Sequence, residues 1–90
     1  MEFEKSPLFE REIKKLDKHE RRLLQGLLEK ILQDPQIGKP MEHHSNVFSK
    51  RTGHRRLIYK VNLQKGIISL ILYENRDEAY RTLNVLSRKW

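Results

Sequence analysis

Cysteine is absent from the 90-residue chain. Neither a disulfide framework nor a thiolate metal site is possible, and a reducing interior is the natural setting. Long apolar stretches are also missing. The run Ile67–Tyr73 is seven residues long, against the roughly 18 that a membrane span requires, and no early apolar run resembles a signal peptide. A cytoplasmic protein without membrane contact is the expectation. Acidic residues are in deficit, 12 Asp and Glu against 19 Lys and Arg, giving a formal charge of +7. That balance favours polyanions or an acidic protein partner over acidic membranes or metal cations. The length fits one domain, at a size where about 60–65% of the unfolded surface is buried, and a single domain without a second catalytic one is the expectation.

Met1–Lys5 alternates apolar and charged residues, as a short edge strand does. Ser6-Pro7 reads as an N-cap with proline at the first helical position, followed by Glu10 and Glu12 near the positive helix end, so a helix to Leu16 is expected. Asp17 caps the next helix, with Glu20 placed to complete a capping box. Its stripe is Leu23, Leu24, Leu27, Leu28, Ile31 and Leu32, and Pro35 stops it by disfavouring helix at Asp34. Gly26 inside this helix costs roughly 1 kcal/mol relative to Ala, for which close packing against the first helix is the expected reason. Gln36–Asn46 has no clear period and reads as a loop.

From Val47 the pattern becomes three strands, turning at Gly53 and at Gln64–Gly66, as in an antiparallel meander. In the middle strand Leu57, Tyr59 and Val61 share the face toward the helices, which leaves Arg56, Ile58 and Lys60 on the open face. The third strand is apolar on both faces and so reads as central. Asn75 then caps a helix with the stripe Ala79, Leu83, Leu86 and Trp90.

The stretch VFSKRTGHRRLIYKV, Val47–Val61, brings Arg51, Arg55 and Arg56 onto neighbouring strands, and Arg76 and Tyr80 follow the third. Such a surface suits RNA. A guanidinium stays charged and offers a planar fork to two phosphate oxygens, and an aromatic face stacks on an unpaired base. Metal-independent RNA cleavage also needs a base for the 2′-hydroxyl and often an acid for the leaving 5′-oxygen. Arginine serves poorly there, so Glu42, His43, His44 and His54 are the candidates for proton transfer. Adjacent histidines without a carboxylate or Cys cluster have poor ligand spacing, and neither a metal nor a cofactor is expected. The competing readings are a solvated strand face for Arg51 and Arg55, a structural salt bridge for Arg56 and Arg76, and helix packing for Tyr80.

The order strand, helix, helix, three strands, together with SKRTGHRRLIYKV and NRDEAY, resembles the RelE/ParE superfamily of toxin-antitoxin toxins over nearly the whole chain. The GKP of Gly38–Pro40 and the Phe-Ser-Lys-Arg of Phe48–Arg51 look most like the RelE and YoeB branches, which are messenger-RNA endonucleases. The resemblance implies one α+β, RelE-like domain over residues 1–90, with an N-terminal helical hairpin packed on a mainly antiparallel four-stranded sheet and a C-terminal helix. It implies a catalytic Arg56, an Arg51 that holds the phosphate, an Arg76 after the last strand, a base-stacking Tyr80, and Glu42 as general base. Glu42 is offset by one residue from the glutamate that follows GKP in YoeB. Ser49 stands where RelE has a second catalytic lysine, Asn75 stands where many relatives have His, and Lys50 and Arg55 extend the RNA-binding surface.

The implied protein is a type II toxin that cuts mRNA at the ribosomal A site, with mRNA, the ribosome and an acidic cognate antitoxin as partners. A ParE-like inhibitor of DNA gyrase that cuts nothing, or a weakly catalytic homologue retained for RNA or antitoxin binding, fits the same fold.

Overall fold

The computed structural model describes residues 1–75 and 81–83. Its elements run β1 (Glu2–Lys5), α1 (Pro7–Ile13), α2 (Lys18–Gln33), β2 (Lys39–Pro40), β3 (Val47–Thr52), β4 (Arg55–Asn62) and β5 (Ile67–Asn75). Residues 81–83 are helical, and the expected stripe positions Ala79, Leu86 and Trp90 lie outside the described residues.

Both helix caps form where the sequence puts them. Ser6 is extended, and its Oγ accepts the Phe9 amide at 3.0 Å while donating to the Ile71 carbonyl at 2.6 Å. One hydroxyl thus starts α1 and ties it to β5. Asp17 Oδ1 accepts the Glu20 amide at 2.8 Å and starts α2. The first helix ends at Ile13, short of Leu16, because tighter bonds from Lys15 N–H to the Glu12 carbonyl and from Leu16 N–H to the Ile13 carbonyl close its last turn. Leu16 is buried all the same.

The sheet has the order β1-β5-β4-β3-β2. Strands β3, β4 and β5 form the expected antiparallel meander, and β1 pairs parallel with β5. The expected four strands become five, since Lys39–Pro40, read as loop, pairs antiparallel with β3. Tertiary contacts hold this piece down. The Gly38 N–H donates to Tyr59 Oη at 3.0 Å, and that hydroxyl donates to the Pro35 carbonyl at 2.9 Å. A Cβ on Gly38 would lie 2.8 Å from Tyr59 Oη and 3.0 Å from Phe48 Cβ, so glycine is required for the close approach.

The main core lies between the helices and one sheet face, where Phe9, Leu24, Leu27 and Ile31 meet Leu57, Tyr59, Leu70 and Tyr73. A smaller cluster on the opposite face joins Val47, Ile58, Ile71 and Leu72 to Leu83. Two members of the α2 stripe, Leu23 and Leu32, are exposed instead of buried.

A bulge sets which residues share each face. Ile58 pairs with Leu72 and Tyr59 with Leu70, so Ile71 has no partner on β4. Before the bulge Ile68 and Leu70 face the helices; after it Tyr73 does, and Leu72 turns to the opposite face. The Ile71 carbonyl is the one that receives the Ser6 hydroxyl.

Gly26 contradicts its expected role. Nothing lies within 4 Å of a Cβ built on it, so no close helix packing requires a glycine there. Gly26→Ala should therefore stabilise the protein by about 1 kcal/mol, raising Tm in a thermal melt by ~4–8 °C. An unchanged or lower Tm would show a constraint at Gly26 that the packing does not reveal.

Candidate nucleic-acid interface

Residues directly opposed on neighbouring strands project to the same side. On the face away from the helices, Ser49 stands opposite Ile58, and Arg51 opposite Arg56. Arg56 Nη1 donates to Ser49 Oγ at 2.6 Å, which fixes the half-buried guanidinium over a serine only 2% exposed. Arg51 is exposed and its Nε donates to the Gly53 carbonyl at 3.3 Å. Two like charges directly opposed across a ladder are destabilising, where a favourable pair contributes roughly 0.2–1 kcal/mol. Arg56 has Glu74 as its opposite neighbour on β5, and Glu74 accepts a hydrogen bond from Thr82 Oγ1 at 3.0 Å.

The next residue in the chain behaves differently. Arg55 points to the helix side, where Nε donates to Glu20 Oε2 at 3.1 Å and Nη1 donates to Glu12 Oε2 at 3.2 Å and to the Tyr73 carbonyl at 3.0 Å. Its guanidinium carbon also lies 5.6 Å from the centre of the Tyr73 ring. Burial pushes the Tyr73 hydroxyl above its usual pKa, against the lowering effect of its bond to Thr52 and of nearby Arg55. Burial alone would raise the Glu12 carboxyl, yet hydrogen bonds and charge from Lys15 and Arg55 outweigh it and hold the group below 4.5.

Among the residues singled out in the sequence, Ser49, Arg51 and Arg56 are brought together. Lys50 stands opposite Leu57 and so belongs to the helix-side face, as does Arg55. Glu42 lies in the exposed turn before β3. Arg51 is four residues beyond Val47, about 13 Å along the strand at roughly 3.3 Å per residue, so Glu42 sits at the opposite end of the face. Of the proton-transfer candidates, exposed His54 lies in the turn at the arginine end. Arg76 and Tyr80 lie outside the described residues.

Two charged residues join the face without having been singled out for it. Lys39 stands opposite Ser49, but a two-residue strand is too short to show a period. Glu74 stands opposite Arg56, and the bulge hides its phase. Among the described residues no group of three or more His, Cys, Asp or Glu is placed to hold a metal ion, and no helix is long and apolar enough to cross a membrane.

No protein-family model and no curated protein sequence matches the chain. Solved structures do. The isolated RelE toxin of E. coli superposes with a TM-score of 0.75 at 20% identity, over 98% of this chain and 97% of that one. The intact E. coli RelBE toxin-antitoxin complex gives 0.74 at 21%, over 82% and 94%. The RelBE2 toxin-antitoxin complex of Mycobacterium tuberculosis gives 0.64 at 22%, over 82% and 95%. The chain therefore has the RelE fold, in the α+β class that the sequence pattern implies.

The lowered Glu12 pKa makes the Arg55 cluster sensitive to acid. Between the folded value and the ordinary 4.5, the unfolded state binds more protons, so stability rises with pH across that window. The contribution is fully present above about 4.5 and is lost as pH falls through the folded value. Urea unfolding at pH 7 and below pH 4.5 should show this loss in the wild type and a smaller one in Glu12→Gln. Equal pH dependence in the two proteins would remove Glu12 from the account.

Proposed function

We propose that this chain is the toxin of a type II toxin-antitoxin pair, a metal-independent endoribonuclease that cuts mRNA at the ribosomal A site in the cytoplasm. One observation carries the reading: Arg56, pinned by Ser49, stands directly beside Arg51 on the sheet face away from the helices. The two guanidinium groups repel across the ladder, Glu74 stands beside Arg56 on β5, and a bound phosphodiester would add a further anionic partner. In cleavage the 2′-oxygen attacks phosphorus, the 5′-oxygen leaves, and negative charge grows on the non-bridging oxygens, where the two guanidinium groups stabilise the transition state more than the ground state. The resemblance assigns Arg76 to the same phosphate and Tyr80 to the adjoining base.

The proton acceptor has two candidates. Resemblance gives the role to Glu42, whereas strand register puts Glu74 next to Arg56. The likeness to RelE within RelBE complexes and the net charge of +7 support an acidic antitoxin as partner. Opposite charge speeds such an encounter and helps specify the partner.

Mapping mRNA ends on translating ribosomes tests the activity. Wild-type protein should produce cuts in the decoding site, and Arg56→Ala should slow them by about 10²–10³-fold, the scale of one lost oxyanion donor, while its Tm stays near wild type. Absence of cuts by the wild type, with gyrase-dependent DNA damage instead, would replace this reading with that of a ParE-like inhibitor. Single-turnover rates of Glu42→Gln and Glu74→Gln identify the base, because only loss of the true acceptor slows the chemical step by about 10²-fold or more. Normal rates in both variants would move the role to another group, with His54 next in position.

A further inference from the structure

The shortest strand is held by more than its own ladder. β2 has only two paired positions, Lys39 with Ser49 and Pro40 with Phe48, and proline has no N–H to donate. Beneath it, Tyr59 is fully buried, and its hydroxyl ties the Gly38 N–H on one side and the Pro35 carbonyl on the other. Gly38 carries no side chain where a Cβ would collide with that hydroxyl. Three features thus converge on a stretch, Pro35–Pro40, in which the one charged residue, Lys39, is exposed.

Ser49 belongs to the Arg56 face, since it accepts that guanidinium, and Lys39 directly opposite projects to the same side. Their Cβ atoms are about 4.5–5.5 Å apart on ladder geometry, with Arg51 on the diagonal. Lys39 is exposed, and its ammonium has no carboxylate partner among the described residues. Buried Ser49 supplies a short, neutral floor between the lysine on one side and the arginines on the other. We propose that Lys39 is a further phosphate ligand of this face, and that the Tyr59 hydroxyl is the positioning group that keeps it there.

The ligand is the RNA backbone, so the inference rests on the ribonuclease reading and adds a residue that the sequence motifs did not assign. The planar arginine fork binds two oxygens of one phosphate, and the compact ammonium serves as a point charge for a third oxygen or for the next phosphate along the strand. Tyr59 itself lies on the helix side and touches no substrate. Its effect passes through the Gly38 amide.

The test is fluorescence anisotropy of the full chain with a short single-stranded RNA, 2′-O-methylated throughout so that it binds without being cut, over a range of NaCl concentrations. Lys39→Gln should weaken binding about 3–10-fold and reduce the steepness of log K against log salt by about 0.7, the contribution of one phosphate contact on a single strand. Lys39→Arg should retain the slope. Lys30→Gln, an exposed control on α2, should leave it unchanged. Tyr59→Phe, checked for folding by its melt, should weaken binding less than Lys39→Gln while the lysine charge remains.

A Lys39→Gln slope equal to wild type, or a Lys30→Gln effect as large, would overturn the assignment and leave the arginine pair untouched. Failure of the wild type to bind RNA at low salt would overturn the ribonuclease reading and this inference together.

Discussion

The guanidinium of Arg55 is the constraint on which the arrangement depends. It joins Glu12 near the end of α1, Glu20 in the first turn of α2 and the Tyr73 carbonyl of β5 from its own position on β4. Its side chain is only 16% exposed, so these contacts act with little screening and need all their partners in place. Both helices are thereby held to one face of the sheet. A seven-residue α1 has little stability of its own. Burial of Phe9, the Ser6 bond to β5 and the Arg55 cluster supply what its length cannot.

With the helices committed to one side, the pleat sends Arg56 to the other. Two adjacent arginines therefore have different surroundings, one holding the helices to the sheet and one half-buried on the opposite face, where it is bonded to Ser49. The bulge at Ile71 completes this division by turning Tyr73 inward to meet Arg55 and placing Glu74 opposite Arg56. Without the extra residue, the end of β5 would present its other face to the helices. The phase change and the helix anchor are coupled, because Ser6 caps α1 through the same hydroxyl that satisfies the Ile71 carbonyl.

The face that results balances repulsion against use. Arg51 and Arg56 are directly opposed, Lys39 stands one strand further out, and among the described residues Glu74 is the acidic neighbour of Arg56 in that row. Under the proposed function, positive groups already held close on one sheet would lose little freedom on binding a polyanion. Buried Ser49 is the small element that permits this, accepting the Arg56 guanidinium without filling the surface above it.

Caps, turns and alternation in this chain are local, and they were legible as such. Ser6 and Asp17 cap helices through bonds to residues three positions on, and the pattern of β4 separates Leu57 and Tyr59 from Arg56 and Ile58 whatever surrounds it. Those features determined the order of elements apart from β2 and the placing of Arg56 on the sheet face opposite α1 and α2, and the family resemblance implied the α+β class. The tertiary structure alone decided the pairing of β2, the bulge at Ile71, the inward use of Arg55 and the separation of Glu42 from the arginines. Each depends on partners far along the chain: Gly38 on Tyr59, Ile71 on Ser6, Arg55 on Glu12 and Glu20. A period of two or 3.6 residues records which way a side chain turns, but it carries no information about what stands opposite when the strands meet.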